Sequence, residues 1–405
     1  MIPTETLYRI FDNLDTETIV FSIQCVCKRL YAVANTYQKY KLQLKFISQH
    51  KFYMVCRAIR PDNVISLILS DGNKTPGQIR LFFSLIRIQD YTRLQTITLI
   101  LITEVDLKTI LEHMTTLNSL ISLSITFDEN SSYSTEIVHL LSSVIGRRSL
   151  RKLDLTMEDK MINDLVWPVE CSFQHLRLFN SVDIEQLCTI LHCSSHLKTI
   201  SIRDCIISNL TQLESIVSNG TRYPQVTSLT LEDIQTDMEM IKLLLSLTPS
   251  LVHLKLIGHG TALFNGSHWE QFIKAKLPAL DRFEFMIHKN VDVSLDSDDL
   301  ESLIAPFRTP FWLETKHWHV TCVDIRQCLV VNLHSIPVCA SKVDYYPKSY
   351  KISCSTAPAL DCDSKKMDNI RQLRINLSEM MAHDAIEQVR IKKNEQTNFG
   401  LQLYL

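Results

Sequence analysis

Leu150-Arg151-Lys152-Leu153-Asp154-Leu155 reads as apolar, two positions, apolar, one position, apolar. Its last three residues alternate apolar and polar, as a strand buried on one face requires. The spacing recurs upstream at Val64-Leu67-Leu69, Leu94-Ile97-Leu99 and Leu120-Leu123-Ile125. Downstream it recurs at Phe173-Leu176-Leu178, Leu197-Ile200-Ile202, Val226-Leu229-Leu231, Leu251-Leu254-Leu256 and Leu280-Phe283-Phe285. Successive starts lie 23 to 30 residues apart. Between them, Val105 to Met114, Thr135 to Ile145, Ile184 to His192, Met238 to Leu247 and Trp269 to Ala275 return apolar residues at helical spacing. Strand, helix, strand at this length predicts parallel strands joined by right-handed crossovers. One such unit cannot bury its apolar face alone, but stacked units share a continuous core. Each buried Leu or Ile contributes about 1.5–3 kcal/mol to that core.

This pattern resembles the leucine-rich repeats, in which each unit is one strand and one helix. The resemblance implies an α/β solenoid over residues 63–290, about nine strands long, with a curved parallel sheet inside and helices outside. The Asn that the family places after the strand is mostly missing and unit lengths vary, which points to the irregular, helix-rich kind. After Ile287 the pattern stops. Val291 to Leu303 is acidic and then helical, with Asp298-Asp299 as the charge at a helix N-terminus. Residues 311–346 have strand composition and predict an antiparallel excursion or cap. Residues 347–366 read as an exposed loop, so 291–369 forms an irregular segment. Ile370-Leu373-Ile375, a weaker Ile386-Val389-Ile391 and the apolar run Leu401 to Leu405 give 370–405 a repeat-like character.

Residues 1–46 are different. Pro3 opens a helix on which Leu7, Ile10, Phe11 and Leu14 form one stripe. Asp15 is placed to cap a second helix, running to Tyr31, with Ile19, Ile23, Val26, Cys27 and Leu30 at the same spacing and Lys28-Arg29 near its C-terminal end. A helical connector, 47–62, follows. Ile2-Pro3-x-Glu5-x-Leu7-x-x-Ile10-Phe11-x-x-Leu14, then Val26-Cys27-Lys28-Arg29, resembles the F-box motif. The family usually has Trp at or beside position 30, where this chain has Leu30-Tyr31. The resemblance implies docking on the Skp-type adaptor of a cullin–RING ubiquitin ligase. Its contact residues would be Ile2, Pro3, Leu7, Ile10, Phe11, Leu14, Ile19, Ile23, Val26, Cys27 and Leu30. The other reading is a plain helical hairpin packed on the next domain.

Composition narrows the function further. A net charge of −2 sets up no field for nucleic acid, and no apolar run is long enough to span a membrane, so neither partner is expected. The twelve cysteines are scattered without a CxxC pair, which argues against a zinc site. No secretory signal precedes the hairpin, so a reducing cytoplasmic or nuclear setting is expected, with the thiols buried as small hydrophobes. Phosphate-cradling and nucleophile-elbow motifs are absent, so no catalysis and no cofactor is expected. His317 and His319, two apart on a strand, would share one face, and without further ligands they read as surface residues.

The repeats offer a surface instead. Positions between the core leucines would face the concave side. There His175, Arg177, Phe179, Arg203, His253, Lys255 and Arg282 are the candidate substrate contacts, in a mildly basic surface, while earlier strands show Thr96, Thr98, Ser122 and Ser124. Arg and aromatic side chains are common interface anchors. The expected function is therefore a substrate-recognition subunit of a Skp–cullin–F-box ligase, binding a protein whose identity is unknown. The alternative is a repeat scaffold without ligase association.

Overall fold

The computed structural model describes residues 2–45, 47–72, 75–114, 116–127, 133–206, 210–235, 237–291, 295–325, 329–337, 339, 342–345, 351–357, 372–376 and 400–404. The expected strand at Ile386-Val389-Ile391 and most of the expected loop at 347–366 lie outside these residues. The chain divides into two units, Met1–Ile202 and Arg203–Leu405.

The first unit starts with α1 (Thr4–Phe11), a π-helical turn (Thr18–Ile23) and α2 (Lys28–Thr36). Strand β1 (Tyr40–Gln43) and α3 (Gln49–Ala58) follow. Next come β2 (Val64–Ser70), α4 (Gln78–Leu85), β3 (Thr96–Ile102) and α5 (Glu104–Met114). The unit continues with β4 (Ser122–Phe127), α6 (Thr135–Ile145), β5 (Lys152–Thr156), α7 (Asp159–Asp164), β6 (His175–Asp183) and α8 (Ile184–Cys193). Strands β1 to β6 pair in parallel, each with the next. Leu67, Ile97, Leu123, Leu153 and Leu176 fall in one register row, and Leu69, Leu99, Ile125, Leu155 and Leu178 in the next. All ten are buried. The first apolar residue of each motif lies just before its strand, except Val64, which opens β2. The amides of Leu94, Leu120 and Leu150 close turns onto the carbonyls of Tyr91, Leu117 and Arg147. The residue after it ties each unit to the previous one, as Arg151 N donates to Ile121 O and Gln174 N to Arg151 O.

The hairpin departs from expectation in two ways. Asp15 does cap the second segment, accepting from Thr18 N at 2.7 Å. The single helix to Tyr31 is broken, however. Cys27 is fully extended, with φ −160° and ψ 161°, so Lys28-Arg29 open α2 rather than close a helix. The second difference is β1, which was not expected. Tyr37-x-x-Tyr40-x-Leu42 repeats the strand motif with tyrosine in the leucine positions, 27 residues before Val64. Leu42 pairs with Leu67, so the hairpin runs directly into the sheet.

β7 (Thr199–Ile206) spans the division between the units. The second unit adds α9 (Leu210–Ser218), β8 (Ser228–Ile234), α10 (Met238–Ser246), β9 (His253–His259), α11 (Gly266–Lys276) and β10 (Arg282–Asn290). Strands β8, β9 and β10 are parallel, with Leu229, Leu254 and Phe283 in one row and Leu231, Leu256 and Phe285 in the next. The two phenylalanines end the leucine ladder. Phe283 lies against Trp269, Trp312 and Trp318, and Phe285 against Phe307. These partners come from α11 and from the turns after α12 (Ser297–Ile304). Asp296 caps α12 by accepting from the amides of Asp298 and Asp299, and Asp299 accepts from Asp296 N in return. β11 (His319–Ile325) and β12 (Val330–Ile336) form the expected antiparallel excursion, with β12 running antiparallel to β10.

Beyond it, β13 (Lys342–Tyr345), β15 (Gln372–Asn376) and β16 (Gly400–Tyr404) make a separate parallel sheet, while β14 (Lys351–Ser355) pairs antiparallel with β11. A strand thus occupies part of the segment expected to be loop. Among the described residues no helix is long and apolar enough to cross a membrane.

Candidate functional site

The hairpin sorts its stripe into inward and outward sides. Leu7, Phe11 and Ile19 are buried by the chain itself. Phe11 meets Tyr37 edge-on at 5.5 Å, and Tyr37 meets Tyr40 at 5.1 Å. The Tyr37 hydroxyl donates to Asp12 Oδ1 at 2.8 Å, and the Tyr40 hydroxyl donates to the Ala34 carbonyl at 2.8 Å. Burial, reinforced by Asp12, pushes the Tyr37 phenol well above its ordinary value. In return the bond from Tyr37 holds the Asp12 carboxyl below the usual carboxylate range. Leu7, Phe11 and Ile19 thus belong to the hairpin's interior.

Five of the remaining eight residues are exposed. Ile2 is 52% exposed, Ile10 44%, Val26 70% and Tyr31 54%. Pro3 and Cys27 are exposed as well, and Leu14, Ile23 and Leu30 are half-buried. Arg29 Nη2 donates to the Ile2 carbonyl, which brings the first residues beside the start of α2. Ile2 and the Val26–Cys27 turn therefore lie at one end of the hairpin, far apart in sequence yet held together by Arg29.

The sheet-face candidates are placed as alternation predicts, but the expected basic excess is largely cancelled. In the first unit His175 and Arg177 are exposed, and the Arg177 guanidinium lies 4.2 Å from the Phe179 ring centroid. Lys152 pairs with Asp154 at 3.0 Å. In the second unit Arg203 pairs with Asp233, and Lys255 faces Glu232 at 3.7 Å. Arg282 pairs with Glu284, and His253 Nε2 lies 3.6 Å from the same carboxylate. Burial pulls the Glu284 carboxyl up, but bonds from His253 and Arg282 pull harder and leave it below its ordinary value. Asp233 escaped notice because it follows the motif, in a left-handed conformation with φ 61°.

His317 and His319 do not share a strand face. His317 is left-handed, with φ 54°, and precedes β11. Among the described residues no group of three His, Cys, Asp or Glu side chains is placed to hold a metal. No disulfide forms among them either. Cys171, Cys322 and Cys339 are buried, and burial pushes each thiol up to about 12. Cys25 and Cys27 are exposed, contrary to the expected burial.

The fold defines an α/β repeat protein whose strands and helices follow the leucine-rich-repeat plan. Residues 1–42 match the family model of the F-box domain, so the chain carries an F-box domain joined to such repeats. Of the solved structures, that of the Rad7 and Elc1 complex in yeast is similar at 15% identity, over 69% of this chain and 85% of that one, with a TM-score of 0.33. An internalin, InlF, from Listeria monocytogenes str. 4b F2365 is similar at 13% identity, over 55% of this chain and 66% of that one, with a TM-score of 0.25. No curated protein matches the chain.

Proposed function

We propose that this chain is the substrate-recognition subunit of a Skp–cullin–F-box ubiquitin ligase, acting in the cytosol or nucleus. The observation that carries this reading is the outward apolar set of Ile2, Ile10 and Val26, left over after Leu7, Phe11 and Ile19 have filled the F-box interior. An exposed apolar face rimmed by polar residues is the usual mark of a protein interface. The adaptor covers it, and the sheet faces hold a protein substrate. The chain performs no chemistry of its own. It raises the effective concentration of the substrate at the ubiquitin carrier and orients it. Co-purification with a Skp-type adaptor tests this. Ile10→Asp with Val26→Asp abolishes the complex while the melting temperature is kept. Failure of the wild-type chain to capture adaptor overturns the reading.

A second reading is a repeat scaffold that binds its partner without a ligase. Leu30 and Tyr31, in place of the family's usual Trp, favour it. Its signature is substrate capture by a chain that ignores the adaptor.

A further inference from the structure

The sheet face of the first unit changes character between β4 and β5. Thr96 and Thr98 on β3, and Ser122 and Ser124 on β4, present short hydroxyl side chains in register. The next two strands present Lys152 and Asp154, then His175 and Arg177 in the same two rows. With strands about 4.8 Å apart, a low hydroxyl terrace borders a taller cationic edge. Lys152 has engaged Asp154, the carboxylate in register with Arg177. Arg177 instead rests on Phe179, and both it and His175 are exposed. A guanidinium stacked on a ring keeps its donors in a fixed plane, so little entropy is lost when a carboxylate docks on that edge. The candidate cations of the second unit, by contrast, already have carboxylate partners within that unit.

We propose that this face binds an extended acidic segment of a partner protein. An Asp or Glu carboxylate sits on Arg177, a neighbouring apolar side chain covers the free part of Phe179, and the segment's main chain approaches closely over the terrace. The choice rests on charge complementarity and on the short hydroxyl side chains that Thr96, Thr98, Ser122 and Ser124 place in these two rows. It deepens the substrate-receptor reading and rests on it, although the adaptor face plays no part in it.

The test is selection from a random-peptide phage library on the full chain, bound to its adaptor where the adaptor is captured, and on the Arg177→Glu variant. Peptides selected on the wild type are rich in Asp and Glu, and their affinity falls about tenfold or more on Arg177→Glu. Selection on Arg177→Glu itself turns toward Lys and Arg, a reversal that a merely structural role for Arg177 would not produce. Phe179→Ala weakens the same peptides with the charge preference kept. Peptides without acidic enrichment, equal selection on both chains, or no selected peptide at all overturn the proposal. So does binding that requires phosphoserine on a synthetic peptide array, or displacement of the peptides by an RNA oligonucleotide at lower concentration than by free peptide. Loss of adaptor capture with acidic selection intact removes the ligase reading and leaves this one standing.

Discussion

Tyr37 stands edge-on to Phe11, with ring centroids 5.5 Å apart, and closes the interior of the F-box hairpin from the strand side. Phe11 comes from α1, whereas Tyr37 opens the β1 motif. The F-box hairpin and the first strand of the sheet therefore share one core. Phe11→Ala is expected to destabilise the chain by about 3–5 kcal/mol, measured by denaturant unfolding. The protection of β1 and β2 amides in hydrogen exchange should fall with it. Loss confined to α1 would contradict a shared core.

The Tyr37–Asp12 bond gives this core a pH signature. Asp12 has a folded pKa below its unfolded value, because the bond from Tyr37 favours the carboxylate. A depressed carboxyl contributes stability that is present above the unfolded pKa and lost as pH falls through the folded one. Unfolding midpoints measured as pH falls below about 4 should therefore drop less steeply for Asp12→Asn than for the wild type. Tyr37→Phe should show the same flattening. Parallel curves for all three chains would contradict the assignment.

Gly258 lies where β9 packs closest to β8. A Cβ there would come 2.3 Å from the Ile234 carbonyl oxygen and 2.6 Å from the Ile234 nitrogen. Both are backbone atoms and cannot rotate away. Gly258→Ala should therefore destabilise the second unit by about 1–3 kcal/mol or more, seen as a lower melting temperature. Ala at Gly220, whose Cβ position is empty, should show only the strain of φ +77°. A neutral Gly258→Ala would mean that β8 and β9 are less closely joined than described.

The nine strands were legible because each motif writes its core into the sequence as three apolar residues at fixed spacing, and all three are buried in every copy. The tenth was missed because Tyr37 and Tyr40 occupy leucine positions and use their hydroxyls on Asp12 and Ala34. The F-box stripe was legible as a stripe. Its division into inward Leu7 and Phe11 and outward Ile10 was not, because helical spacing tells which residues cluster and not which neighbours cover them. On the sheet, alternation predicted exposure for Lys255, Arg282 and His253 but not their pairing. Glu232 reaches Lys255 and Glu284 reaches His253 from neighbouring strands, which no local pattern encodes, while Arg282 pairs with Glu284 two residues on along its own strand.

The measurement that bears most directly on the central claim is hydrogen exchange of the whole chain with and without a Skp-type adaptor. The account predicts new protection in residues 2–11 and 24–31, around the exposed Ile10 and Val26, with the sheet strands unchanged. Protection elsewhere with these segments still exchanging freely, or no adaptor-dependent change at all, would contradict it.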